Sequence, residues 1–185
     1  MSRHPLLVLF ALEGFLALAG GLWMLLAGYP LITRPDPWGD AILAIIGYLV
    51  LLGLEEAAEL FYPSGYQQLE SLMKQLGDAL KKAGVGYNLA LALALASAIG
   101  EEVWFRGAMQ NFFSGILGPY AGLAAQAALF AAGHPAPDKA GRFYMAWAFA
   151  AGLVFGGLYL YSGSLIPGIL AHFLYNAKGF SELYD

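Results

Sequence analysis

The sequence predicts an all-α polytopic membrane protein with about six transmembrane helices, one amphipathic interfacial helix and both termini in the cytoplasm. Three observations support this fold class. Of the 185 residues, 59% are hydrophobic and only 12% are charged, whereas a soluble domain carries about 25% charged residues. Several apolar runs reach the roughly 20 residues that a membrane-spanning helix needs. Tyrosine and tryptophan recur near the predicted helix ends, as they do at membrane interfaces.

The composition also excludes several kinds of chemistry. The chain has no cysteine, which excludes disulfides and thiolate nucleophiles or ligands. A formal net charge of −4 gives no argument for a nucleic-acid partner, and none is predicted. The first apolar segment is too long for a cleavable signal peptide, and no small-residue cleavage site follows it. We therefore expect a single membrane domain over residues 1–185, surrounded by membrane lipids.

Residues 1–62 predict two transmembrane helices. The first, Pro5–Tyr29, contains one acidic residue, Glu13, which is either a functional group or, as we favour, a protonated or interhelically bonded residue. The segment Thr33–Pro37 has the composition of a turn. The second helix is predicted at Trp38–Leu60. The acidic side chains at its end are predicted to be solvated at the membrane interface, where charge is tolerated: Glu55, Glu56 and Glu59.

Residues 63–86 predict an amphipathic interfacial segment. Between Tyr66 and Ala83, apolar side chains recur at helical spacing with glutamine, glutamate and lysine between them. Such a helix is too polar to span a bilayer. It either lies on the membrane surface, with its lysines toward anionic headgroups, or packs on neighbouring helices. The lysines are Lys74, Lys81 and Lys82.

Four further spans are predicted in residues 87–182, separated by short segments rich in glycine, proline or serine. Of the nine lysines and arginines, Arg106 lies within a span. If the N-terminus is inside the cell, Arg34 falls on the outer side and the remaining seven fall on the inner side. This bias follows the positive-inside rule and predicts cytoplasmic termini. The four spans are Leu89–Phe113, Tyr120–His134, Phe143–Tyr161 and Leu165–Phe180, with a turn at Gly115–Pro119 and a loop at Pro135–Lys139.

The third span carries two acids and an arginine near mid-membrane. Charge at this depth costs about 2.5–3.5 kcal/mol per residue on insertion scales, so it persists where it pairs or serves a function. Glu102 and Arg106 are four residues apart on one helix face and can form a charge-assisted pair. Glu101 is rotated by about 100° from Glu102 and is left as a free carboxylate. A packing network between helices is the alternative interpretation.

Two histidines and an asparagine on later spans complete a candidate site. His134 ends the fourth span, and His172 and Asn176 share one face of the sixth. Depths counted from the helix rise are compatible with one cavity that holds Glu101 and opens toward the cytoplasm. These groups suit peptide hydrolysis by an activated water, with imidazoles that hold a metal or stabilise the oxyanion. A serine nucleophile is less favoured, because nothing marks Ser97 as activated.

Three motifs in this order resemble those of the CAAX protease and bacteriocin-processing family of intramembrane proteases, which includes type II CAAX prenyl endopeptidase-like and abortive-infection proteins. The resemblance covers about Leu89 to Phe180, so residues 87–182 are expected to form the catalytic core. The motifs are Glu-Glu-x-x-x-Arg at Glu101, Glu102 and Arg106, Phe-x-x-x-His at Phe130 and His134, and His-x-x-x-Asn at His172 and Asn176.

The resemblance implies a role for each site residue. Glu101 would activate the water with His134 taking part, and His172 and Asn176 would line the oxyanion or metal side. The Glu102–Arg106 pair would support them. Family members have been described both as metalloendopeptidases and as metal-independent glutamate proteases. A divalent metal such as zinc, or no metal, is therefore expected, and we favour a catalytic glutamate. The metal ligands would be Glu101, His134, His172 and Asn176, although asparagine is an unusual zinc ligand.

The function predicted first is therefore an intramembrane endopeptidase in the cytoplasmic membrane of a prokaryote. Its substrate would be a peptide or a membrane-anchored protein, and prenylation of the substrate is implied by the resemblance alone. The alternative is a non-enzymatic membrane scaffold or immunity-type protein that uses the same polar core for packing. A proton-coupled transporter with Glu13 and Glu101 as relay sites is a third hypothesis, against which the lack of an internal repeat counts. The sequence leaves the oligomeric state open.

Overall fold

The structure is a computed structural model that describes residues 4–31, 33, 36–134 and 139–184. Within these ranges the fold is all-helical, as predicted from the composition. The helices are α1 His4–Ala27, α2 Pro37–Phe61, α3 Pro63–Lys82, α4 Tyr87–Glu101, a π-helical segment Glu102–Gln110, α5 Asn111–Leu117, α6 Pro119–Ala132, α7 Lys139–Ser162 and α8 Ile166–Tyr184.

Among the residues that the structure describes, four helical stretches are long and apolar enough to cross a membrane, which makes the chain a multi-pass membrane protein. They correspond to the first, second, third and fifth predicted spans. The α6 helix has 14 residues and a length of about 21 Å, which is shorter than a ~30 Å hydrocarbon core. Passage of α6 and α8 through the membrane therefore stays a prediction, as does the orientation of the termini. The four stretches are Leu6–Ala27, Pro37–Phe61, Tyr87–Leu117 and Arg142–Ser162.

The connections differ in part from the prediction. The turn predicted at Gly115–Pro119 is wrong at its start, because the helix continues to Leu117 and only Gly118 breaks it. Gly118 has a φ of 86°, a left-handed conformation that glycine adopts without steric cost. Of the predicted turn at Thr33–Pro37, residues 34 and 35 lie outside the described residues. The same holds for residues 135–138 of the predicted Pro135–Lys139 loop.

The π-helical segment departs from the regular α-helix assumed for the third span. Side chains at its C-terminal end anchor it to α7: the Gln110 amide donates to the Gly156 carbonyl at 2.9 Å. The Asn111 amide donates to the Tyr159 hydroxyl at 2.6 Å and to the Gly107 carbonyl at 2.7 Å. π-Helical turns are rare in proteins, and those that occur are often at functional sites. Here the segment begins at Glu102, inside the first predicted motif.

Helix α1 lies against α4 and the π-helical segment through glycines on both sides. A Cβ added at Gly20 would lie 2.9 Å from the Cα of Trp104, and one at Gly100 would lie 2.6 Å from the main-chain oxygen of Glu13. Both contacts are with backbone, which cannot move aside as a side chain can. The glycines therefore set how closely α1 approaches the third span.

We expect Gly20→Ala to lower the free energy of unfolding by about 1–3 kcal/mol, because the added methyl would overpack this contact. The measurement is denaturant unfolding of the purified protein in detergent micelles. Gly21→Ala is the matched control, since a Cβ there meets no atom within 4 Å. An equal loss of stability in both variants would contradict the proposed close contact.

The amphipathic helix α3 packs on neighbouring helices, and its position at the membrane interface stays a prediction. Its buried positions include Leu69 and Leu80, and the helix contacts α2, α7 and α8. At its beginning, the ring of Tyr62 lies 5.6 Å from that of Phe143 on α7. The three lysines that the sequence placed on its polar side are exposed: Lys74, Lys81 and Lys82.

The prediction that all three acids at the end of α2 are solvated is wrong for Glu55. Its carboxylate is half-buried where α2, α3 and α8 meet, and it accepts hydrogen bonds from the hydroxyls of Tyr66 at 3.1 Å and Tyr175 at 3.3 Å. The ammonium of Lys178 lies 3.3 Å away. Burial, together with the Glu55 carboxylate, raises the pKa of Tyr66. The other two acids, Glu56 and Glu59, are exposed as predicted.

Candidate active site

The candidate site begins with Glu101, the last residue of α4. Its side chain is only 12% exposed. The Ser97 hydroxyl, one turn earlier on the same helix, donates a hydrogen bond to Glu101 Oε1 at 3.0 Å. The sequence singled out Ser97 only as an unfavoured nucleophile, and its role as a donor that orients the carboxylate was missed. The Ser-x-x-x-Glu spacing, four residues on a helix, is the signal that could have revealed it.

The structure brings both predicted histidines to the other oxygen of this carboxylate. Glu101 Oε2 lies 3.8 Å from His134 Nε2 and 3.9 Å from His172 Nε2. His134 follows the end of α6 and His172 lies in α8, so three helices converge on one point. These separations exceed a direct hydrogen bond, and Glu101 Oε2 has no hydrogen-bond partner among the described residues.

The opposite ring nitrogens fix the tautomers of both histidines. His134 Nδ1 lies 2.7 Å from the main-chain oxygen of Phe130, which can only accept, so this nitrogen carries the proton. His172 Nδ1 lies 3.0 Å from Glu102 Oε1 and donates to that carboxylate in the same way. When the rings are neutral, both Nε2 atoms therefore present lone pairs toward Glu101. Three hydrogen-bond acceptors therefore converge in the site: Glu101 Oε2 and the Nε2 atoms of His134 and His172.

Glu102 connects the charged pair of the first motif to His172. Its Oε1, besides accepting from His172, lies 3.0 Å from Arg106 Nη1. The pairing of Glu102 with Arg106 expected from their spacing is thus present. The contact is an ion pair without hydrogen-bond alignment, since Arg106 Nη1 makes no aligned hydrogen bond to any described residue. Both side chains are almost fully buried, at 1% and 0% exposure.

Aromatic rings surround the buried guanidinium of Arg106. Its Cζ lies 4.2 Å from the ring centre of Phe130, 5.2 Å from that of Phe155 and 5.9 Å from that of Phe105. Cation–π attraction is strengthened when the cation is desolvated, so these rings offset part of the cost of burial. Phe155 also stacks on His172 at 4.7 Å, which joins the charged pair and the histidine in one packed unit.

Asn176, the fourth predicted site residue, is less closely engaged. It lies one turn after His172 on α8 and is half-buried. Across residues 4–31, 33, 36–134 and 139–184, its carboxamide has no hydrogen-bond partner. The structure thus brings Glu101, His134 and His172 together and leaves Asn176 on the adjoining turn.

Glu13 lies beside the site, although the sequence placed it apart from the motifs. It is 8% exposed, and its Oε2 would be 2.9 Å from a Cβ at Gly100, the residue before Glu101. In the described part of the chain this oxygen has no hydrogen-bond partner. Glu13 thus packs on α4, and the favoured interpretation of a protonated or interhelically bonded residue stays a prediction. No local spacing could have revealed the proximity, because it depends on how α1 packs.

The donor set of the site is of a kind that zinc binds, namely two imidazole nitrogens and a carboxylate oxygen. As arranged, however, no three ligand-type side chains among the described residues are placed to hold a metal ion. As arranged, the residues therefore fit a metal ion incompletely.

Comparison with known proteins agrees with the motifs. The type II CAAX prenyl endopeptidase Rce1-like family matches residues 85–178, which is just over half of the chain and contains all three motifs. No match was found among curated proteins or among solved structures. The matched region comprises α4, the π-helical segment, α5, α6, α7 and most of α8, which are the elements that carry Glu101, His134 and His172. The chain belongs to the Rce1-like family of type II CAAX prenyl endopeptidases, a family of membrane proteases.

Proposed function

We propose that the protein is an intramembrane endopeptidase in which Glu101 activates the water that attacks a peptide bond. The observation that carries this proposal is the convergence of the Glu101 carboxylate with the Nε2 atoms of His134 and His172. The Glu101 carboxylate and the two Nε2 atoms are all hydrogen-bond acceptors. A water molecule between them could donate its hydrogens to two of these acceptors. General-base activation of water by a positioned carboxylate is established chemistry for hydrolysis.

The reaction can be written with the residues of the chain. Glu101 takes one proton as the water oxygen attacks the carbonyl carbon, and the carbonyl π electrons move to the oxygen. His134, whose Nε2 also faces the water, accepts a hydrogen bond from it and orients it. When the tetrahedral intermediate collapses, the C–N bond breaks and Glu101 returns the proton to the leaving amine. The sum is one peptide and one water giving one acid and one amine.

His172 and Asn176 are proposed to lie on the side of the oxyanion. The Glu102 carboxylate holds the His172 ring through Nδ1, and Arg106 holds Glu102 in turn. Glu102 thereby orients the His172 ring, and Asn176, one turn later on α8, would bring a carboxamide N–H donor to the same side. Loss of Arg106 would therefore reach the site through Glu102 and His172.

The proposed setting follows the charge distribution and the family. We place the protein in the cytoplasmic membrane of a prokaryote with both termini inside, and the site near mid-membrane opening to the cytoplasm. The substrate is a peptide or lipidated protein, with prenylated CAAX termini as the family association. The residues that would hold a divalent metal are Glu101, His134, His172 and Asn176, and the metal would supply Lewis-acid chemistry there.

The test is cleavage of a pooled library of prenylated and unlipidated peptides by purified protein in proteoliposomes, read by mass spectrometry. We expect new peptide termini with wild type and none with Glu101→Gln. A chelator arm reports on metal: activity that survives chelation supports the metal-independent glutamate mechanism. If both proteins stay folded and neither cleaves any peptide, the non-enzymatic scaffold replaces the protease as the preferred function.

A further inference from the structure

One face of α7 packs against the histidines of the candidate site. Tyr144, Ala148, Ala151 and Phe155 follow one another at intervals of four, three and four residues, which places them on a single helical stripe. The far end of this stripe stacks on His172 through Phe155. Its middle packs through Ala148 into the cluster that includes Phe105 and Phe130, the rings around Arg106.

Tyr144 brings a hydroxyl to this face, whose other three members are apolar. Its ring meets that of His134 edge-on, with 5.6 Å between centres and an angle of 84°. This contact places Tyr144 against the histidine whose Nε2 faces Glu101. Tyr144 is thus half-buried on the α7 side of the site, on the same side as His134. No motif of the sequence pointed to it.

The proposed reaction needs a hydrogen-bond donor that Glu101 and the two neutral histidines do not supply. Hydrolysis develops negative charge on the former carbonyl oxygen, and hydrogen-bond donors aimed at that oxygen lower the barrier. With neutral rings, the N–H groups of His134 and His172 are already used, by the Phe130 carbonyl and by Glu102. Glu101 and both Nε2 atoms are then acceptors, so none of the three can donate to an oxyanion.

We propose that Tyr144 is a further catalytic residue, whose phenolic O–H donates a hydrogen bond to the oxyanion of the tetrahedral intermediate. This inference rests on the proposed function and adds a donor to it. The proton stays on the phenol throughout, and no bond of Tyr144 forms or breaks. The Asn176 carboxamide, one turn after His172 on α8, is a second neutral donor proposed for the oxyanion side.

The test compares Tyr144→Phe with Tyr161→Phe in the same cleavage assay. Both variants remove one phenolic oxygen from α7, and Tyr161 is 81% exposed on the last turn of that helix, away from the site. In Tyr144→Phe the remaining phenyl ring would keep the packing on His134. We expect Tyr144→Phe to lower kcat by roughly 10²–10³-fold, as for removal of one oxyanion donor elsewhere, with little change in KM. Tyr161→Phe should match wild type.

A second readout separates a catalytic role from packing. A peptide phosphonate, which mimics the tetrahedral intermediate, should bind Tyr144→Phe more weakly than wild type by a factor close to the loss in kcat. Binding of the uncleaved peptide to the Glu101→Gln background should be unaffected by Tyr144→Phe. Equal kcat values for wild type and Tyr144→Phe would overturn the role of Tyr144 alone. Absence of cleavage by wild type would instead overturn the proposed function, and the role of Tyr144 with it.

Discussion

Glu101→Gln is expected to lower kcat by roughly 10²–10⁴-fold, the usual contribution of a general base. The amide has nearly the same shape as the carboxylate, and its oxygen can still accept the hydrogen bond from Ser97. It cannot take a proton from water at neutral pH. Because the amide is uncharged, the change also removes a buried charge, so we expect no loss of folding stability. The measurement is single-turnover cleavage in proteoliposomes, with stability followed in parallel.

Glu56→Gln is the matched control for Glu101→Gln. It makes the same chemical change at an exposed position on α2, away from the three converging side chains, and should leave kcat unchanged. If Glu101→Gln retained more than a tenth of the wild-type rate, another group would have to be the base. The nearest candidates for that group are the histidines, since both present an Nε2 lone pair to the same point.

Arg106→Ala is expected to lower the free energy of unfolding by about 3–5 kcal/mol, the range for removing one partner of a buried ion pair. Glu102 would remain as a carboxylate that is 1% exposed, and the three aromatic rings would lose the cation between them. Unfolding in detergent by denaturant gives the measurement. Because Glu102 also holds His172, cleavage should fall even under conditions where the variant is folded.

Arg142→Ala is the control for Arg106→Ala, because it removes a guanidinium from an exposed position at the start of α7 and should change stability by no more than about 0.5 kcal/mol. A second variant separates charge from volume. Glu102→Gln combined with Arg106→Met removes both charges and should recover much of the stability lost in Arg106→Ala. Stability of Arg106→Ala equal to that of wild type would show that the pair contributes nothing to folding.

Local patterns in the sequence predicted the long helices and grouped the residues of the candidate site. The apolar runs gave the long helices, since the length of a membrane span is set by the bilayer and can be counted along the chain. The spacing of Glu102 and Arg106 gave their pairing, because residues four apart share a helix face. The histidines could be grouped with Glu101 from depth alone, since the positive-inside rule predicts the side from which each helix enters the membrane.

What the sequence could not give depends on tertiary contacts. Glu55 looked solvated because its partners, Tyr66, Tyr175 and Lys178, lie on two other helices. The π-helical segment is anchored by bonds to α7 that no local propensity encodes. The position of Tyr144 at the site depends on how α7 packs against His134 and His172, which no local pattern encodes.

The contact between α1 and the third span has a consequence for what counts as the minimal working unit. The family match starts at residue 85, yet the backbone of Gly100, next to the proposed base, is covered by Glu13 of α1. Acyl chains would replace that cover in a fragment confined to the matched region, and they offer no polar group. The region matched to the family is therefore shorter than the part of the chain that covers the proposed site, because α1 contributes to that cover.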